Sequence, residues 1–440
     1  MKNFKIKERN PWAWIPTLYF AEGIPYVMVM VIAEMMYKRL GMSNADAALY
    51  TSWLYLPWVI KPIWSPLVDL FKKKRWWIVV MQFFAGVGLA GVAFTIEAPY
   101  AVQLTLAFFW LVAFSSATHD IAADGFYMLA LDSYRQSLFV GIRSTFYRVA
   151  NIVGQGITLM VAGNLEVYYR DVPKAWTMTM GCVAAGFLIL AVYHTFILPR
   201  PDSDRSVRAD DDDVEQVSAG EQVRQALVGF VNTFKTFFQK PGVGVAIAFM
   251  LLYRLPEAFL SKINPLFLVD PVDKGGMGLT TSQIGFANGT LGLIGLTLGG
   301  IIGGIITTRG GLKKWLWPMV WSISLPDLIY VYLSLVQPES LWIVSGCIFV
   351  EQFGYGFGFT AYMLYMLYFS QGKSETSHYA ICTAFMAASM MIPGMFAGIL
   401  QEAVGYPVFF IIACLCCFLT VFVARLIKVD PSFGIKQSGK

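Results

Sequence analysis

The chain has 440 residues, of which 57% are apolar and only 14% charged, with a net charge of +5 and a mean hydropathy of +0.58. A soluble domain carries nearer a quarter charged residues, whereas apolar stretches of about 20 residues, enough to cross a bilayer as helix, recur here from end to end. The composition is that of a polytopic membrane protein, and the continuous runs, which lack a period of two, argue against a transmembrane β-barrel.

The basic start, MKNFKIKERNPWAW, leads into an apolar stretch that reaches about Tyr37 and contains Glu22. It has no small-residue cleavage site, so a retained first span is expected. Five more runs follow, at 47–70, 76–97, 101–130, 137–164 and 175–198, the first being 12–38. A second set covers 242–269, 281–307, 314–336, 341–369, 376–402 and 405–428. The expected fold is all-α, with twelve transmembrane helices in two six-helix bundles. The N-terminal bundle covers 1–199, a cytoplasmic linker 200–240, and the C-terminal bundle 241–440. All six cysteines fall inside apolar runs without zinc spacing, which reads as small buried apolar side chains.

With the N-terminus in the cytoplasm, 23 of the 33 Lys and Arg fall on the inner side and five in outer loops. The positive-inside rule then places both termini in the cytoplasm. The linker stretch RPDSDRSVRADDDDVEQ cannot bury a core and reads as a solvated tether. Behind it, EQVRQALVGFVNTFKTFFQK has apolar residues at helical spacing with bases between them, the pattern of a helix lying on the inner membrane surface.

The two halves look like diverged copies. SPLVDLFKKKR sets Ser65 and Asp69 before a basic run at the inner end of the second helix, and GGIITTRGGLKK sets Gly304 and Thr308 before another at the eighth. The first helix carries YFAEGIP and the seventh YRLPE, each with a tyrosine, a proline and a glutamate. Two six-helix units related in this way are the pattern of the major facilitator fold, which binds substrate near the membrane midplane. The two loops loosely resemble that family's G-x-x-x-D-R-x-G-R-K motif. Asp69, Lys73, Arg143 and Arg309 are therefore candidates for gating or structural charge pairs. Topogenic charge is a compatible reading for the loop residues.

Ionisable groups inside a bilayer are expensive and must face partners or water. The embedded set is Glu22, Lys61, Asp120, Asp124, Arg143, Arg148, Arg254, Glu257, Lys262, Asp327 and Glu351. Helices four and five form a hairpin turning near 132–136, which puts Asp120 at the depth of Arg148 and Asp124 at that of Arg143. Asp120 and Asp124, four apart, share a helix face. Arg143 and Arg148, five apart, point in different directions, so at least one buried Asp–Arg pair is expected. These pairs either only join the hairpin or exchange a proton and release arginine to an anionic substrate. His119 points about 100° away from Asp120. Glu22, Asp120, Asp124 and Glu257 are the candidates for proton coupling. Lys61, Arg148, Arg254, Glu351, Trp58 and Tyr355 are the candidates for binding substrate, because aromatic faces stack on sugar rings and cations bind carboxylates. Asp327, after Pro326, reads as a local partner at a kink. Gly295, Gly299 and Gly303 form a ladder suited to close helix packing.

LPWVIKPIWSPLVD (56–69), ATHDIAAD (117–124), LLYRLPEAF (251–259) and QIGFANGTLGLIG (283–295) occur in order over most of the chain. Together they resemble the AmpG-like muropeptide permeases of the major facilitator superfamily. The resemblance implies proton-driven import of cell-wall turnover products across a bacterial inner membrane. These products are N-acetylglucosamine joined to anhydro-N-acetylmuramic acid, with or without peptide. It also places the family's fourth-helix aspartates on Asp120 and Asp124, and its second-helix lysine and aspartate on Lys61 and Asp69. His119 stands where the family often has glutamine, and DGFYMLAL departs from its usual ending. Transport of another amphiphilic or anionic solute, such as an acetyl-coenzyme A-like compound, another amino sugar or an exported drug, is the alternative. An enzyme lacks support: histidines at 119, 194 and 378 are scattered, and there is no nucleophile constellation, metal spacing or phosphate loop. The linker is too short and polar for a sensor domain. The expected partners are a small-molecule solute, protons and the bilayer, with the chain acting as a monomer and without nucleic acid, metal or cofactor.

Overall fold

The structure is a computed structural model that describes residues 9–201, 204, 219–372 and 375–434. It is helical, with twelve spans among the described residues. The first joins α1 (Pro11–Val27) through a π turn (Met28–Ile32) to α2 (Ala33–Arg39). The second is broken between α3 (Asn44–Trp53) and α4 (Leu56–Phe71). The third is α5 (Lys74–Thr95) and the fourth α6 (Ala101–Ala130). The fifth runs from α7 (Ser133–Ile152) through a second π turn (Val153–Ile157) into α8 (Thr158–Tyr169), and the sixth is α9 (Val172–Ile197).

The amphipathic segment forms α10 (Ala219–Phe238), whereas the DDDD run of the linker lies outside the described residues. The seventh span is broken at Tyr253–Arg254 between α11 (Val243–Leu252) and α12 (Leu255–Val269). The eighth starts with α13 (Thr281–Phe286) and a third π turn (Ala287–Gly292). α14 (Leu293–Ser324) completes it and begins the ninth, interrupted at Gly311, whose φ of 75° only glycine adopts without strain. α15 (Leu328–Val336) ends the ninth span, and α16 (Leu341–Ser370), α17 (Glu375–Val404) and α18 (Tyr406–Leu426) are the last three.

Side-chain caps close several helix starts where sequence supplies an oxygen. Asn10 Oδ1 accepts from Trp12 N at 3.1 Å ahead of Pro11, and Asp132 Oδ1 accepts from Arg135 N at 2.8 Å, fixing the α6–α7 turn. One cap comes from far along the chain. Asp204 Oδ1 accepts from Lys74 N at 2.7 Å and Oδ2 from Arg75 N at 3.0 Å, so the linker ties down the start of α5.

The described residues divide into two compact units, one within Met1–Ala33, Ile60–Thr158 and Leu165–Asn232, the other within Glu34–Val59, Leu159–Asn164 and Thr233–Lys440. The first unit has its core on Trp14, Leu18, Ile78, Ala122 and Phe126. The second is centred on Phe249, Tyr253, Met319, Tyr362 and Met366. In the second unit the glycine ladder faces α16: a Cβ on Gly299 would stand 2.1 Å from the Phe353 carbonyl oxygen. Only hydrogen at these positions lets the two helices touch backbone to backbone. Many large apolar side chains, Phe94, Ile189 and Phe418 among them, are exposed. In water this surface would drive association; in lipid it meets its solvent.

Candidate functional site

The first unit gathers most of its intramembrane charges into one cluster. Asp120 and Asp124 share a face of α6, and the short turn to α7 brings Arg143 back at the depth of Asp124. Arg143 Nη2 donates to Asp124 Oδ1 at 2.6 Å. Tyr19 of α1 donates its hydroxyl to the same oxygen at 3.4 Å. The guanidinium also sits 4.5 Å from the centre of the Tyr19 ring and 5.1 Å from that of Tyr127, a cation–π setting. Lys61 Nζ of α4 stands 3.9 Å from Asp120 Oδ2, a loose pair in which both side chains keep some exposure. Arg148, a turn and a half beyond Arg143 on α7, is half-buried.

Glu22 completes the cluster from α1. One atom each of Glu22, His119 and Asp120 lie within 4.8 Å of one another. Glu22 Oε2 is buried and has no hydrogen-bond partner among the described residues. The arrangement sets an unpartnered carboxyl oxygen beside two ion pairs.

The second unit carries a different set. Arg254 occupies the break in the seventh span, where interrupted helix geometry leaves it as the residue capping α12. Its guanidinium packs against three rings, 4.6 Å from Phe359, 5.5 Å from Tyr362 and 5.6 Å from Tyr355. It also donates to the Tyr355 hydroxyl. It makes no ion pair among the described residues, and its Nε is buried without a partner. Glu257, one turn on, is buried. Glu351 is buried and turned toward its own neighbours, accepting from the Tyr330 hydroxyl and from Gln352 Nε2, each at 3.0 Å. Asp327 sits at the break in the ninth span and accepts from Cys417 Sγ at 3.4 Å.

Lys73 is the exposed cap of α5, and Arg309 is exposed two residues before the Gly311 interruption. Trp58 is half-buried at the start of α4. The side chain of Asp69 lies outside those described.

Three features escaped sequence reading. Glu34 pairs with Lys262 at 3.7 Å inside the second unit, yet in sequence it sits four residues before Lys38 and reads as an interfacial charge. Asn44 is a hub: its Nδ2 lies 3.1 Å from Asp270 Oδ2, 2.7 Å from Gln401 Oε1 and 2.8 Å from the Tyr406 hydroxyl, while Lys38 bridges to Asp270 Oδ1 at 2.7 Å. An open cavity of about 500 Å³ lies over this hub, lined by Lys38, Arg39, Asp270, Lys274 and Glu402 among others. Finally, Gln82 and His194 lie behind His119. Their signal is faint, a lone amide and a lone imidazole in apolar spans.

The description "Major Facilitator Superfamily" fits residues 17–378, most of the chain. The chain belongs to the Major Facilitator Superfamily. Major facilitator proteins are membrane transporters, and this one is accordingly a multi-pass transporter of small solutes and not an enzyme. The "Anhydromuropeptide permease" of Escherichia coli (strain K12) is 23% identical over 408 residues, covering 90% of this chain and 75% of the relative. The "Putative transporter AmpG 4" of Rickettsia felis (strain ATCC VR-1525 / URRWXCal2) is 26% identical, covering 90% and 91%. Among solved major facilitator folds, a bacterial homolog of the human lysosomal transporter Spinster superposes with a TM-score of 0.67 at 15% identity, covering 95% of this chain and 97% of the other. A D-xylose-proton symporter does so with 0.64 at 13%, covering 96% and 98%. The twelve-helix expectation and the family resemblance both hold.

Proposed function

We propose that this major facilitator protein imports cell-wall turnover products, N-acetylglucosaminyl-anhydro-N-acetylmuramic acid with or without peptide, together with protons. The observation that carries the reading is the part-buried cluster of Glu22, Lys61, Asp120, Asp124 and Arg143, in which Glu22 Oε2 lacks a donor among the described residues. Lys61 holds Asp120 only at 3.9 Å, so an arriving carboxylate can compete for the ammonium. The freed aspartate, or Glu22, then takes a proton. Arg254, caged by rings and free of ion pairs among the described residues, suits a second carboxylate, and the rings suit sugar faces. The names of the relatives supply the substrate class.

In this reading the termini are cytoplasmic, the bilayer is a bacterial inner membrane, and the chain works as a monomer. Halves 1–199 and 241–440 rock in alternating access, and α10 lies along the cytoplasmic surface. Inward movement of one proton supplies about 2.3 kcal/mol per 100 mV.

The test is uptake of radiolabelled N-acetylglucosaminyl-anhydro-N-acetylmuramic acid into proteoliposomes. Accumulation is expected only with an inward proton gradient and to collapse with an uncoupler. Undiminished accumulation under uncoupler removes the proton. Uptake of acetyl-coenzyme A with none of the disaccharide removes the substrate.

A further inference from the structure

Behind the carboxylate cluster runs a buried chain of hydrogen bonds through four spans. Thr17 Oγ1 of α1 lies 3.0 Å from His194 Nε2 of α9. His194 Nδ1 lies 2.9 Å from Gln82 Oε1 of α5. Gln82 Nε2 lies 2.9 Å from His119 Nε2 of α6. Gln82, His119 and His194 are 1%, 3% and 0% exposed, so water does not compete for these bonds.

An amide nitrogen can only donate and an amide oxygen can only accept. Gln82 therefore dictates both imidazoles. His119 Nε2 must offer its lone pair, which leaves the ring proton on Nδ1 and excludes the imidazolium. His194 Nδ1 must carry a proton, while its Nε2 lies 3.0 Å from Thr17 Oγ1, a hydroxyl that also donates to the Trp14 carbonyl oxygen at 3.2 Å. An imidazole beside two carboxylates would ordinarily take up a proton and become their counter-ion. The groups around the cluster include Tyr19, Glu22 and Tyr26 from α1, Lys61 from α4, Asp120, Asp124 and Tyr127 from α6, Arg143 and Tyr147 from α7, and His194 from α9.

We propose that Gln82, backed by His194 and Thr17, is a positioning residue that keeps His119 a neutral imidazole beside Glu22 and Asp120, so that an exchangeable proton is confined to the two carboxyls. This rests on the proton-coupled reading above, but its structural half can be tested without transport.

The experiment is nitrogen NMR of the uniformly ¹⁵N-labelled full chain in lipid bilayers, where only three histidines need assignment. At neutral pH His119 is expected to be neutral with Nε2 unprotonated. Gln82→Glu, which places an acceptor at Nε2, should convert His119 to the doubly protonated form. Gln82→Leu, which removes the donor, should change the Nε2 signal. In proteoliposomes Gln82→Glu should lower gradient-driven accumulation by about tenfold, the factor of one pKa unit, while exchange of labelled for unlabelled disaccharide persists. A merely structural role would lower both. A wild-type His119 protonated on Nε2, or nitrogen signals unchanged in both variants, overturns the assignment. Wild-type uptake that ignores the proton gradient, with the expected nitrogen signature, overturns only the coupling.

Discussion

Lys262 Nζ lies 3.7 Å from Glu34 Oε2, and the two side chains are 3% and 2% exposed. The same ammonium donates to Thr51 Oγ1 at 3.0 Å and stands 5.5 Å from the centre of the Tyr55 ring. One buried cation thus joins α2, the broken second span and α12 within a single compact unit. Such a pair adds little net stability, because desolvation offsets attraction, but it is expensive to break from one side.

Removing either partner alone is therefore expected to destabilise the protein strongly. Lys262→Met or Glu34→Gln should each cost about 3–5 kcal/mol, and the double variant clearly less than the sum. Thermal unfolding of the purified protein in detergent measures this. Additive losses would mean that the two groups do not interact.

Asp120→Asn and Glu22→Gln should each abolish accumulation of the disaccharide against its gradient while leaving exchange measurable. Both substitutions keep shape and remove the titrating oxygen. Proteoliposome uptake and counterflow, run side by side, separate the two activities. If both variants accumulate substrate normally, the proton is carried elsewhere.

Arg254→Lys should weaken binding of an anionic solute more than of a neutral one. A lysine ammonium cannot present a flat face to Phe359, Tyr355 and Tyr362 as the guanidinium does. The expected rise in KM for the anionic disaccharide is about tenfold, equivalent to ~1.4 kcal/mol, within the range of desolvated cation–π contacts. An equal rise for neutral N-acetylglucosamine would indicate general disruption.

Gly398 permits the closest approach of α17 to α3. A Cβ there would stand 2.3 Å from the Asn44 carbonyl oxygen. Gly398→Ala should push α3 away and disturb the Asn44 hub at a cost of about 1–3 kcal/mol. Chemical labelling of an introduced cysteine, Ser43→Cys, should then rise. Unchanged labelling and stability would mean the backbone adapts without loss.

Asp204→Ala should remove the linker cap on α5. The expected loss is about 0.5–2 kcal/mol, read as a lower thermal midpoint, with Asp204→Asn retaining part of it. An equal midpoint for all three proteins would show that the cap contributes nothing.

The sequence by itself determined the spans and their order. The reason is local: lipid admits only backbone that satisfies its own hydrogen bonds, so each crossing must show a long apolar helix. The Asp124–Arg143 pair was legible for a similar reason, because a short hairpin fixes depth by residue count. Only tertiary structure decided what lies beside what. α6 is apolar nearly all round, so its sequence does not say that His119 turns to Gln82 or that Glu22 of α1 meets Asp120. Glu34 with Lys262, Asn44 with Asp270 and Gln401, and Asp204 with the start of α5 are separated by 129 to 357 residues or by several spans. Their meeting depends on how each helix is rotated and which neighbour it takes, and in a bilayer, where both faces of a helix tolerate apolar residues, periodicity carries little record of either.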